Sequence, residues 1–177
     1  MEEIEVPTEH LHEDIQEHAE HSRERWIMMV VLTAALLAVL AAVSALMAGH
    51  HSNEATIDQI KASDQWAYYQ AKGIKSAVLE SKTELLREMG KSVSEKDVEK
   101  LKTYKEEQKE IDKEARELQH SSERHLVLHH GIAQSVTIFQ ISIAVCAIAV
   151  LTRKKQLWYG SIFLGIIGAA MWIIAFM

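Results

Sequence analysis

Proline is all but missing from this chain. The only one is Pro7, so everything after the first few residues lacks the side chain that most strongly breaks a helix. Cysteine is nearly missing too. The single Cys146 lies inside an apolar run, so it says nothing about redox compartment and supplies no thiolate set for a metal. No glycine-rich phosphate loop, no G-x-S-x-G nucleophile elbow and no H-E-x-x-H pair is present. Those absences remove the usual starting points for an enzyme, and a non-enzymatic role is expected. Charge is the fourth shortage, but only locally. Charged residues make up 25% of the chain and apolar ones 48%, close to a soluble average. Yet residues 27–48, 131–152 and 156–177 contain no Asp, Glu, Lys or Arg.

Each of these runs exceeds the roughly 18 apolar residues that mark a membrane span. The first is too long for the roughly 7–15-residue core of a signal peptide and is read as a true span. The expected class is therefore an all-α membrane protein with three transmembrane helices. Its expected layout is an acidic, His-containing tail (1–25), a first span (26–49), a water-exposed insertion (50–130), a second span (131–152), a basic loop (153–156) and a third span (157–177). Arg23 and Arg25 precede the first span, and Arg153, Lys154 and Lys155 join the second to the third. Basic residues stay in the cytoplasm, so the N-terminus is expected there, with the insertion and the C-terminus outside. Trp26, Trp158 and Tyr159 suit the aromatic belt of the cytoplasmic interface. The insertion holds 14 Lys and Arg, but long loops cross largely regardless of charge.

The insertion reads as two helical arms. A 3-4 spacing runs through Ile60, Asp64, Ala67, Ala71, Ile74, Val78, Ser81 and Leu85 on the first arm. On the second it runs through Tyr104, Gln108, Ile111, Ala115, Leu118, Ser122 and His125. Between them, Gly90-Lys91-Ser92-Val93-Ser94 supplies a turn, and Ser94 with Asp97 a candidate N-cap. Gly90 lies midway between His50 and His130, so the arms are equal, about 55–60 Å each at 1.5 Å per residue. The prediction is a long antiparallel helical hairpin between the first and second spans. Its seam is thin in large apolar residues, so a further surface is expected to cover it.

Asp64-Gln65-Trp66-Ala67-Tyr68-Tyr69-Gln70 stands out in this charged region. The whole chain has four Trp, four Tyr and three Phe, and three of these rings fall within four positions. If Ala67 and Ala71 face the seam, Trp66 and Tyr68 flank it and Tyr69 points away. Rings so placed fit a contact with another copy, so Trp66, Ala67, Tyr68, Tyr69 and Ala71 form a candidate oligomer interface. Packing within the chain is the alternative, followed by interfacial contact or a ligand pocket. The segment GHHSNEATIDQIKASDQWAYYQAKGIK, directly after an alanine-rich span, resembles an uncharacterised family of bacterial three-span membrane proteins, a domain of unknown function. The resemblance is carried by Ala62-Ser63-Asp64-Gln65-Trp66-Ala67-Tyr68-Tyr69-Gln70-Ala71-Lys72. It implies a bacterial inner-membrane protein and supplies no activity, cofactor or catalytic residue.

Ten histidines are the remaining chemical candidates. His10, His12, His18 and His21 lie in the tail, where Asp14, Glu17, His18 and His21 share a helix face. His50 and His51 end the first span; His120, His125, His129 and His130 precede the second. His125 and His129 are four apart, a usable ligand spacing. The first reading is of polar span caps, with no cofactor. Proton sensing, or a zinc or other His-bound metal at His50, His51, His125 and His129, is the weaker alternative. The second span carries His130, Gln134 and Thr137 on one face, with Gln140 at its edge, a candidate lining for an ion or proton path or a set of interhelical hydrogen bonds. In the third, Ser161, Gly165 and Ala169 with Gly168 make a small-residue ridge for helix packing. The tail has nine acidic and two basic residues, which opposes nucleic acid and anionic lipid. A solvated tail is its first reading and a cytoplasmic protein partner its second. Three functions are weighed, of which a membrane-bound enzyme has no residue constellation to support it. One of the remaining two is a homo-oligomeric scaffold in the bilayer presenting an outer helical stalk. The other is a homo-oligomeric channel lined by the second span.

Overall fold

In the computed structural model the described residues, 25–176, form three helices. Helix α1 is Arg25–Glu88, α2 is Glu95–Thr152 and α3 is Lys155–Ile174. Each contains a stretch long and apolar enough to cross a membrane. The predicted all-α class and the hairpin are therefore present. The tail histidines and their acidic neighbours lie outside the described residues. With no proline to stop it, α1 continues unbroken through Gly49 and Gly73. It ends where Gly90 takes a left-handed φ of 67°. There the Gly90 N–H reaches the Arg87 carbonyl at 3.0 Å and the Lys91 N–H reaches that of Leu86 at 2.8 Å, a Schellman pattern. Helix α2 starts after Ser94, whose carbonyl accepts from the Asp97 and Val98 N–H groups. Glu95 and Asp97 in its first turn suit the positive end of the helix dipole. The α2–α3 turn is shorter than the sequence suggested. The same pattern closes α2 with Arg153 at φ 52°, and α3 begins at Lys155.

The chain divides into two compact units. The apolar unit comprises the described residues up to Ser52 with those from Leu126 onward. Its core repeats at helical spacing along α1 as Ile27, Val30, Ala34, Leu37 and Ala41. These meet Phe139, Ile143, Cys146, Ala147 and Val150 of α2. Helix α3 packs by its small residues: Ser161, Gly165 and Gly168 are buried. A Cβ at Gly165 would lie 2.7 Å from a Leu37 methyl, and one at Gly168 would lie 2.9 Å from the Phe139 ring. Two polar links add direction. The Trp158 indole N–H donates to Thr33 Oγ1 at 3.1 Å, joining α3 to α1. The Cys146 thiol donates to Ser161 Oγ at 3.1 Å, joining α2 to α3. The outer face of α1 exposes Met28, Leu32, Leu36, Val39, Val43 and Leu46, as a lipid-facing surface would.

The second unit, Asn53–His125, is the antiparallel hairpin. On α2 the predicted seam positions are all at least half-buried, with Ile111 at 6% and Ala115 at 0% exposure. On α1 the register differs from expectation. Ile60, Asp64, Ala67, Ala71, Ile74, Val78, Ser81 and Leu85 are all exposed. The inward stripe lies two residues away: Ala55, Ala62, Tyr69, Ser76 and Thr83, alternating with Asp58, Gln65, Lys72, Leu79 and Leu86. Chemistry on α2 explains the choice. Its seam offers carboxylates and amides that Lys72 and Lys82 can use, and small residues that admit Ala55 and Ala62. Ser122 Oγ, for example, donates to the Ala55 carbonyl at 2.7 Å.

Candidate assembly surfaces

The aromatic segment builds a clasp across the hairpin. Trp66 is half-buried, and the Arg116 guanidinium lies over its ring at 5.6 Å. Asp112 holds Arg116 through both carboxylate oxygens, at 3.0 and 3.1 Å. That bond is the main reason the guanidinium is raised above its ordinary value. Tyr69 meets Trp66 edge-on at 5.6 Å, and its carbonyl accepts from the Gln108 amide at 3.3 Å. One turn further on, Lys72 is only 9% exposed. Its ammonium donates to Glu107 and lies 5.3 Å from the Tyr68 ring centre and 5.1 Å from that of Tyr104. The bond to Glu107, foremost, raises Lys72 above 10.5 against the opposing effect of burial. Outside the clasp, Lys82 pairs with Asp97 at 2.8 Å and Lys105 with Glu80 at 3.2 Å.

Of the five residues singled out for an oligomer contact, the three aromatic ones, Trp66, Tyr68 and Tyr69, therefore have partners in their own hairpin. Tyr69 points into the seam, not away from it, and Trp66 lies beside it. Ala67 and Ala71 are exposed, contrary to their expected place in the seam, and Tyr68 is half exposed at 49%. Their exposed neighbours form the surface that sequence reasoning misassigned. Ile57, Ile60, Ile74, Val78 and Leu85, at 42–65% exposure, line the outside of α1 at the same 3-4 spacing, with Ala67 and Ala71 between them. In this unit α2 exposes a single large apolar side chain, Val98.

In the apolar unit, His130, Gln134 and Thr137 are exposed and Gln140 is half-buried. The Thr137 hydroxyl donates to its own helix at Ala133, 3.1 Å away, whereas the Gln134 side chain makes no hydrogen bond among the described residues. Ser161, Gly165 and Gly168 face the core and Ala169 packs at its margin. His50 and His51 have ring centres 5.5 Å apart, and those of His129 and His130 are 5.4 Å apart. His129 Nδ1–H donates to the Ala48 carbonyl at 2.8 Å, which ties α2 to α1. Among the described residues no three His, Cys, Asp or Glu side chains converge on one point, so the alternative metal reading gains no ligand set. The links through His129, Lys72 and Cys146 were not anticipated. Only Lys72, a cation inside the aromatic segment, carried any signal.

The family model described as "Domain of unknown function (DUF4337)" matches residues 26–177. No curated protein and no solved structure matches the chain.

Proposed function

Because the chain belongs to that family of unknown function, we propose its role from its surfaces: a non-catalytic, homo-oligomeric scaffold of a bacterial inner membrane that presents a helical stalk outside the cytoplasm. The observation that carries this reading is the second stripe on α1. A helix in a two-stranded hairpin needs one apolar seam, and the face opposite should be polar. Here that opposite face holds Ile57, Ile60, Ile74, Val78 and Leu85. The charged outer face of α2 is no match for it, so the same stripe on a second copy is the complementary surface.

Copies inserted in one orientation run their α1 helices parallel. A parallel pair sets unlike edges together, here Lys61, Lys75 and Lys82 against Ser63, Gln70 and Ala77. An antiparallel pair would oppose lysine to lysine. Ala67 and Ala71 allow close approach at the centre. Asp64 is a polar residue within the stripe, of the kind that fixes register at some cost in stability.

The test is the mass of the detergent-extracted complex. Wild type should be oligomeric, and Ile74→Ser with Val78→Ser should lower the mass while α1 stays helical. Full burial of such side chains is worth about 1.5–3 kcal/mol each, so the pair should weaken association at least tenfold. An unchanged mass refutes the stalk contact. The exposed His130, Gln134 and Thr137 support a second reading, an ion path at the centre of the assembly. Flux through liposomes holding the intact oligomer tests it, and no flux across several ions at neutral pH rejects it.

A further inference from the structure

We infer that the membrane-crossing part of α2 carries a second self-association face, centred on Gln134, against which α2 of another copy packs with reciprocal amide hydrogen bonds. The inference rests on the homo-oligomeric reading but concerns a different surface from the stalk stripe. Val127, His130, Gln134, Thr137, Ile141 and Ile148 are all exposed and repeat at intervals of three and four, with one gap of seven, so they form one stripe. Their opposite face is packed: Ile132, Ser135, Phe139 and Ser142 are at most 1% exposed. The polar groups inside that packing are satisfied, because Ser135 donates to Gly131 and Ser142 to Ile138.

Gln134 is different. Its amide offers two donors and an oxygen with two lone pairs, and it makes no hydrogen bond among the described residues. Hydrocarbon supplies no partner for such a group, so it must meet protein or water. The amide is self-complementary: two copies related by an axis along the membrane normal place donor against acceptor in both directions. Along their apolar stretches the other outward faces offer no equivalent, since the exposed amide of Gln156 lies in the first turn of α3, beside the basic turn. Helix α1 presents Leu32, Leu36 and Val39 there, and α3 presents Phe163 and Ile166. Thr137, one turn on, has its own bond to Ala133 and can still accept from a neighbour.

Single cysteines at 134, 137 and 141, in a Cys146→Ala background, should form disulfide-linked dimers in membranes. Cysteines at Leu36 and Ile166 should not. Gln134→Leu should weaken self-association about 3- to 15-fold, and Gln134→Asn should recover part of the loss. Equal cross-linking at all five positions would overturn the inference, as would an unchanged oligomer in Gln134→Leu. So would reaction of the assembled 134 and 137 cysteines with a charged thiol reagent, which would mean that water lines this face. Running the series in the Ile74→Ser/Val78→Ser background separates the two surfaces. Cross-linking that persists there supports the span contact even if the stalk contact fails.

Discussion

Glycine and lysine positions show how far single residues decide the packing. Gly165 and Gly168 are one helical turn apart on α3, and both are buried, but their neighbours differ in how readily they yield. An added methyl at Gly165 meets the end of the Leu37 side chain, which can rotate. At Gly168 it meets Phe139 at 2.9 and 3.0 Å and Ile138 at 3.2 Å, and the Phe139 ring is 1% exposed with no room to turn. Gly168→Ala should therefore cost about 1–3 kcal/mol, the range for overpacked cores, and Gly165→Ala less than about 1. Thermal unfolding of both variants in one detergent checks the order. Equal losses would mean that the Leu37 methyl is as confined as the ring. The ridge itself was legible as Ser161, Gly165 and Ala169. Which glycine mattered more was not, because that depends on the neighbour and not on the glycine.

Helix α1 teaches the main lesson about elements. It carries two stripes at 3-4 spacing, and periodicity alone cannot say which one meets α2. The apolar stripe through Ile74 and Val78 was the natural choice, and the hairpin uses the other. On α2 only one stripe is plausible, since the rest is charged, and there Tyr104 through His125 was read correctly. The inward stripe works because Lys72 reaches Glu107 between two tyrosine rings, a complementarity visible only when both arms are aligned. This has a pH consequence. Lys72 is raised above 10.5 in the folded hairpin, so its contribution is fully present below the unfolded value. It fades as pH rises through the still higher folded value. The melting temperature of wild type should therefore exceed that of Lys72→Met by a constant margin up to about pH 10 and by a shrinking one above it. Circular dichroism of both proteins across that range measures the margin. A margin that does not change at high pH would show that the ammonium contributes by packing and not by charge.

For the whole molecule, the proposed orientation makes the most direct claim. Three runs without charge were legible because a membrane span depends on composition along one helix, and that is a property of sequence. Which side each end occupies depends on the basic residues beside the runs. Arg153 and Lys154 in the α2–α3 turn and Lys155 at the start of α3 are all exposed, and Lys155 lies 5.7 Å over the Trp26 ring at the start of α1. The basic turn and the first residues of α1 thus share one end of the apolar unit, which supports assigning both to the same side. Under the proposal that Lys and Arg are retained in the cytoplasm, Gly90 is expected on the other side. A single cysteine at Gly90 would replace a left-handed glycine, so the neighbouring exposed Lys91 is the better probe. In a Cys146→Ala background and intact spheroplasts, Lys91→Cys should react with a membrane-impermeant thiol reagent. Lys154→Cys should react only after the membrane is opened. Reaction of Lys154→Cys alone in intact cells would invert the assignment and move the hairpin, with the stripe proposed for self-association, into the cytoplasm. Reaction of both would mean that fewer than three of the helices cross.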